Sequence, residues 1–518
     1  MLARAHSASI VGVEGIVVIV EASVGLGLPC LTLVGRASGA VMEARERVKS
    51  ALGHCGHGVP PRKQVVNLAP ADERKESPGI DLAVACALLA AHGVIQPERL
   101  DGLMFWGELA LDGVVRPASG TLIVAESARA AGFRAIAVAR ASAIEASYVP
   151  GLEVLPVDDL RALCAHLRGE RAIDPQPTTA IDEAAPIAAE LDMADVRGLA
   201  LARRAIEAMV AGGHNLLLHG PPGVGKTMLA RRAAALFPPL DAEAALTVTK
   251  IHGVAGLARD PGLVTRPPFR APHHTVSVAG LLGGGQPLRP GEVSLAHRGL
   301  LFLDELPEYG RGCLEGLREP LEDGHVHLVR ARGALRLPAR FQLMAAMNPC
   351  PCGYLGHPDR TCTDSPGAVQ RYQERLSGPL LDRLDLVVPV HAASAEELSQ
   401  KTPSEPSTAI RARIEGARAR QRRRLHGTRW RSNAEIPAHG DTLDRLIPLT
   451  SAAERLLTSL AARRSLSPRA QHRLRRLART LVDLDAAADP EAPDRPLGAE
   501  VLAEAAHLRR MPEHSRQA

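Results

Sequence analysis

The chain has 518 residues, with 62 lysines and arginines against 57 acids, a net charge of +5, and 46% hydrophobic but only 2% aromatic residues. At roughly 100–200 residues per domain that length suggests about three domains, with cores built from Ala, Leu and Val. No apolar run approaches the ~20 residues a membrane helix needs, and the N-terminus, Met1-Leu2-Ala3-Arg4-Ala5-His6, has no long apolar signal segment; the sequence therefore reads as soluble and cytoplasmic, with no membrane partner.

Residues 1–168 alternate short apolar strands (Ile16–Glu21, Cys30–Val34, Gln64–Leu68, Ala135–Ala139) with helical stretches (Ala40–Leu52, Ile80–Ala91, Leu122–Ala131). That is an α/β or α+β pattern. Residues 169–186, with Pro175, Pro177 and Pro186, read as an interdomain linker. Residues 187–395 form a second unit, opening with a helix over 196–210 and a strand over 215–219. Residues 253–291 are rich in glycine and proline, long enough to be a functional insertion or a mobile loop. Residues 396–518 are C-terminal: a polar linker over 396–408, then helices with periodic Leu456, Leu457, Leu460 and Leu474, Leu477, Leu481. The fold class is α/β multidomain.

Residues 220–227 read Gly220-Pro221-Pro222-Gly223-Val224-Gly225-Lys226-Thr227, after a strand and before a helix. Glycines let the backbone amides turn toward phosphates, and the helix N-terminus adds partial positive charge. Lys226 would reach the β and γ phosphates of ATP, and Thr227 would hold Mg2+. The chain has six lysines, so one inside this pattern is a selective placement. The strand Leu300-Leu301-Phe302-Leu303 then delivers two carboxylates. Asp304 would bind Mg2+ through water, and Glu305 would orient the attacking water and take its proton. Asn348 ends the strand 341–347 and would sense the γ phosphate, unless Asn348-Pro349 is merely a turn. Arg383, between Asp382 and Asp385, reads as an arginine finger reaching across subunits or as a local ion pair. Arg469 opens a C-terminal helix and reads as a γ-phosphate contact or a surface arginine.

Arginine clusters at 411–431 and 463–479 read as solvated helix faces or as a surface for an anionic partner. Eight cysteines in so long a chain without a secretory signal do not suggest a disulfide scaffold.

These nucleotide motifs, with Phe269-Arg270-Ala271-Pro272-His273-His274-Thr275, Gly283-Gly284-Gly285, Pro290–His297, Leu303–Glu308 and Leu376–Arg383, resemble the ComM/YifB family of magnesium-chelatase-like AAA+ ATPases over nearly the whole chain. The resemblance implies an AAA+ phosphate-loop core, a C-terminal helical lid, and a homo-oligomeric ring, a hexamer. Such a ring would hydrolyse ATP to move single-stranded and branched DNA, as a branch-migration helicase of recombination in natural transformation. The alternative is a chelatase-type motor that remodels a protein partner during metal insertion. The resemblance also implies a hairpin over 325–337 that points Arg330, Arg332 and Arg336 at a central channel. Residues 107–113 resemble the Lon-protease fold, but alignment places Gly79 and Val124 where the catalytic serine and lysine would stand. Cys350, Cys352 and Cys362 resemble part of a four-cysteine zinc site, with Asp364 or His357 as the fourth ligand; a degenerate loop with free thiols is the other reading.

Overall fold

A computed structural model describes residues 2–509, except 36–38, 59, 61, 72–74, 76, 182–190, 258–261, 286–287, 331–332, 358–359, 393, 395, 398–403 and 465. The chain gathers into two compact units. One comprises Met1–Glu183, Asp241–Thr265 and Val329–Leu335; the other comprises Ala184–Leu240, Arg266–Leu328 and Arg336–Ala518.

The first unit is built on a seven-stranded mixed sheet. Its second strand, Glu14–Gly25, pairs antiparallel with Leu2–Val11 on one side and Lys63–Ala69 on the other. Cys30–Val34, Leu103–Trp106, Ala135–Ala139 and Glu153–Val157 extend it through parallel pairs. The strand Leu2–Val11 was not anticipated. Its buried residues are Ala3, Ala5, Ser7, Ala8 and Ser9, too small or too polar to give a strong apolar alternation. The helix Asp81–Ala91 is buried along its whole length. Its first residue, Asp81, accepts two hydrogen bonds from Arg47, at 2.7 and 3.1 Å. Within the stretch read as a linker, Thr179 is fastened to Ser147, through backbone (3.2 Å) and hydroxyl (2.6 Å) contacts; residues 182–186 lie outside the described set.

Gly79 and Val124 both occupy structural positions. A Cβ on Gly79 would lie 2.7 Å from the Trp106 ring, so the site has no room for a serine. Val124 is buried in the helix Thr121–Ala130. Ser77 Oγ accepts from the Gly79 amide at 3.3 Å and so caps a short helix.

The second unit centres on a five-stranded sheet, all parallel, in the order Phe269–Arg270, Leu300–Leu303, Gln342–Met347, Leu216–His219, Leu386–Pro389. Both faces of these short apolar strands are covered, as parallel pairing requires. All strands run the same way, so their carboxyl ends share one edge, where ligands of open α/β sheets bind. The 253–291 segment is more ordered in kind than its composition suggested. It supplies the edge strand Phe269–Arg270, the helix Val278–Leu282 and a short ribbon pairing Gly283–Gly284 with Arg289–Pro290.

The helices Ser407–Arg424, Ser451–Arg464, Pro468–Asp485 and Ala499–His507 share one apolar core with the sheet, through residues such as Ile414, Leu474, Leu477 and Leu481. The polar stretch before them is fastened where it is described: Ser404 Oγ donates to Val196 O at 2.6 Å and Ser407 Oγ accepts from the Met193 amide at 2.8 Å.

The C-terminal arginines depart most from expectation. Arg420, Arg424 and Arg479 are buried and converge on the buried Asp483, with Arg424 Nη2 at 2.5 Å, Arg479 Nη2 at 3.0 Å and Arg420 Nε at 3.6 Å. Asn433 Nδ2 donates to the same carboxylate at 2.9 Å, and Asp494 takes the guanidinium groups' other side. These three side chains are neither a solvated face nor a surface for an anionic partner. Among the described residues no helix is long and apolar enough to cross a membrane.

Removing one partner of a buried ion network leaves uncompensated charge. Asp483→Ala should therefore lower the unfolding free energy by about 3–5 kcal/mol in urea titration, and the neutral, isosteric Asp483→Asn by less. A wild-type midpoint for Asp483→Ala would contradict the network's role.

Candidate nucleotide-binding site

The strand Leu216–His219 lies between Gln342–Met347 and Leu386–Pro389. Asn215 fixes it to both neighbours: Oδ1 accepts from the Leu343 amide at 2.9 Å, and Nδ2 donates to Arg383 O at 3.0 Å. The chain then leaves the sheet at Gly220, where a Cβ would stand 2.1 Å from Val390 O. Gly223 and Gly225 are left-handed, with φ of +80° and +92°, a conformation that glycine enters without penalty. Pro221 and Pro222 complete the loop. Val224 packs partly against the core, and the helix Lys226–Ala234 follows.

Lys226 is nearly buried. Its Nζ donates to Gly220 O at 2.6 Å, Pro221 O at 2.9 Å and Asn348 Oδ1 at 3.0 Å. Burial lowers its pKa from the usual lysine value, while Asp304 and Glu305 act the other way. Thr227 Oγ1 donates to Asp304 Oδ2 at 2.6 Å, and the Glu305 amide donates to Asp304 Oδ1 at 3.0 Å. A hydroxyl and a carboxylate so placed fit a shared Mg2+, and loop amides at a helix N-terminus fit a polyphosphate. Glu305 sits in the left-handed region at φ 51°, an uncommon state for a non-glycine residue, with its carboxylate half-exposed.

The structure thus joins Gly220, Pro221, Lys226 and Asn348 by direct hydrogen bonds, and likewise Thr227, Asp304 and Glu305. It does not bring Arg383 or Arg469 into hydrogen bonding with them. Arg383 is held locally: Nε donates to Arg318 O at 3.1 Å, Nη1 to Pro379 O at 2.7 Å, and Nη2 pairs with Glu322. Neither neighbouring acid in the sequence is its partner. Asp385 is buried instead against His214 and Arg473, which hold its carboxyl well below the usual range against the opposing effect of burial. Arg469 is exposed on the first turn of Pro468–Asp485 and has no partner among the described residues. Sequence reasoning gave no role to His219, which ends the phosphate-loop strand. Burial, with help from His391 and Lys226, lowers its pKa to about 4, so it stands neutral beside the lysine. Its place just before Gly220 was the available signal.

Just after Asn348, Cys350, Cys352, Cys362 and Asp364 gather with their ligand atoms within 4.8 Å of one another. The three sulfurs are 3.4, 3.5 and 3.6 Å apart. Tetrahedral zinc with bonds of ~2.3 Å separates thiolates by about 3.8 Å, so the donor set and spacing fit zinc with Asp364 as the fourth ligand. His357 is not in the cluster; its ring lies against Tyr354. This loop packs on the phosphate loop, since a Cβ on Gly353 would lie 2.6 Å from Pro222 Cδ.

A parallel sheet with the strand leading into the glycine loop beside the strand that ends at Asn348, and the acidic strand one further out, fits an AAA+-like nucleotide-binding core. Three family models match the chain: "Magnesium chelatase, subunit ChlI" over 192–398, "Subunit ChlI of Mg-chelatase" over 20–142 and "Magnesium chelatase, subunit ChlI C-terminal" over 404–509. The Mycobacterium tuberculosis protein Rv2897c is 44% identical over 493 residues, covering 94% of this chain and 96% of that one. Escherichia coli YifB is 41% identical over 487 residues, covering 93% and 94%. Haemophilus influenzae competence protein ComM is 38% identical over 489 residues, covering 93% and 94%. The chain belongs to the ComM/YifB family of magnesium-chelatase-like AAA+ proteins.

The cysteine geometry predicts that protein purified without added metal carries near-stoichiometric zinc by mass spectrometry, and that Cys350→Ser loses it. A metal-free wild-type chain would leave the cluster as free thiols.

Proposed function

We propose that the protein is an ATP-hydrolysing ring motor that translocates on DNA, a branch-migration helicase of recombination in natural transformation. The observation that carries the hydrolytic part is the pair of contacts Lys226–Asn348 and Thr227–Asp304, which sets a phosphate loop, a sensor side chain and an acidic strand around one point. Loop amides and Lys226 would bind the β and γ phosphates. Thr227 and Asp304 would hold Mg2+, whose charge offsets that of the phosphates. Glu305 would orient water and accept its proton, while Asn348 holds the γ phosphate in line. In a ring, Arg383 would exchange Glu322 for the γ phosphate of a neighbouring subunit, and Arg469 is exposed for a similar contact.

Two observations favour DNA as the moved partner. One is the name of the relative ComM, a competence protein. The other is the hairpin of His325–Arg330 and Gly333–Pro338, on which Arg336 is exposed and bonded to His325 at 3.1 Å. The Arg330 side chain and Arg332 lie outside the described residues. A basic hairpin on phosphates gives grip without sequence preference. With Gly79 and Val124 in place of a dyad, the Lon-like N-terminal unit would build the ring or bind DNA rather than cut peptides. The second reading, a chelatase-type motor acting on a protein partner, draws on the ChlI descriptions of all three matched models.

ATP turnover measured with and without single-stranded, duplex and four-way DNA separates the two readings. The DNA motor predicts stimulation by DNA and unwinding of forked substrates, both lost in Lys226→Ala. Glu305→Gln should bind ATP yet hydrolyse it about 10²–10⁴-fold more slowly. Turnover indifferent to every DNA would favour the protein-remodelling reading, and full unwinding by Lys226→Ala would end the motor reading.

A further inference from the structure

The geometry points to His274 as the residue that positions the carboxylate of Glu305 for proton transfer, an inference resting on the hydrolytic reading above. A glutamate acting as general base must be held in line with its water, because small misplacements are costly in rate. Glu305 needs such help. It leaves the acidic strand in a left-handed conformation, and its side chain is 51% exposed. Among the described residues, His274 is the one side chain that pairs with the Glu305 carboxylate, with Nδ1 at 3.3 Å from Oε2.

The imidazole is itself held from several sides. Its ring lies against that of His273, with centroids 4.1 Å apart, and stands edge-on to Tyr309 at 6.5 Å. His273 is engaged in turn by Thr275, whose Oγ1 lies 3.0 Å from its Nδ1. The buried Tyr309, four residues beyond Glu305, donates its hydroxyl to Pro272 O at 2.6 Å. At the other end, Phe269 and Arg270 pair with Leu300 and Leu301 of the acidic strand, and Arg270 makes a two-pronged contact with Glu292 at 2.6 and 2.8 Å. The 269–275 segment is thus fastened twice ahead of the histidine, at Phe269–Arg270 to the acidic strand and at Pro272 to Tyr309.

In the tautomer with its proton on Nδ1, a small turn of the His274 ring would let it donate to Oε2, 3.3 Å away, and would leave Oε1 for the water. During hydrolysis the water O–H bond breaks and its proton passes to Oε1. The water oxygen bonds to the γ phosphorus, and the bond from that phosphorus to the β–γ bridging oxygen breaks, its electron pair leaving with ADP. His274 keeps its own proton throughout, so it is a positioning residue and touches no reacting atom.

The test is steady-state ATP hydrolysis by the full chain as wild type, His274→Ala, His274→Asn and Lys226→Ala, with thermal midpoint and fluorescent-ATP affinity recorded for each. The expected result for His274→Ala is a kcat lower by about 10–100-fold, with KM, ATP affinity and thermal midpoint close to wild type. His274→Asn, whose amide N–H can stand near the Nδ1 position, should recover most of the rate. Wild-type kcat in His274→Ala, a change confined to KM, or an Asn variant no better than Ala would each overturn the assignment. If wild type turns over ATP and Lys226→Ala does not, such a result removes His274 alone. If wild type does not hydrolyse ATP, the hydrolytic reading and this inference fall together.

Discussion

One ammonium group ties the nucleotide site together. Lys226 Nζ reaches back to the carbonyls of its own loop and across to Asn348 on the neighbouring strand. That contact exists because the two strands run parallel and in register, Leu216 opposite Met344 and His219 opposite Met347, so both end at the same height. The acidic strand pairs with the far side of the strand that ends at Asn348, Leu303 opposite Ala345, and delivers Asp304 to Thr227. The site is therefore a property of sheet order and strand length. A slip of one residue in any of these pairs would turn the strand-tip side chains to the other face.

What was legible in the sequence follows from how local each requirement is. The phosphate loop announces itself because the left-handed turns at Gly223 and Gly225 constrain residue type at fixed spacing. The buried strand before Asp304 and the strand before Asn348 are short apolar runs with a polar tip, and these too are local. Long-range pairing was not legible. Arg383 has acids beside it in sequence, yet its ion-pair partner is Glu322, 61 positions away. Arg424 meets Asp483 across 59 positions. Charge runs record only that charge is present, whereas burial decides whether it faces solvent or a buried counter-ion. The strand Leu2–Val11 was missed for a related reason, since alanines fill a tight sheet interior while giving little apolar signal.

The burial of Arg420, Arg424 and Arg479 narrows where an anionic partner can bind. Charge neutralised within the C-terminal helices fixes those helices to one another and is not available to phosphates. The cysteine cluster bears on the other side of the site. It begins two residues after Asn348 and its loop touches Pro222, so whatever holds Cys350, Cys352, Cys362 and Asp364 together also braces Asn348 and the glycine loop.

In the proposed function, Asn348's role is to link the phosphate loop to hydrolysis rather than to end a strand in a simple turn. It is tested most directly by single-turnover ATP hydrolysis in Asn348→Ala, with ATP binding measured on the same sample. Binding should persist while turnover is largely lost. Turnover at the wild-type rate, with the strand tip carrying no side-chain amide, would contradict it.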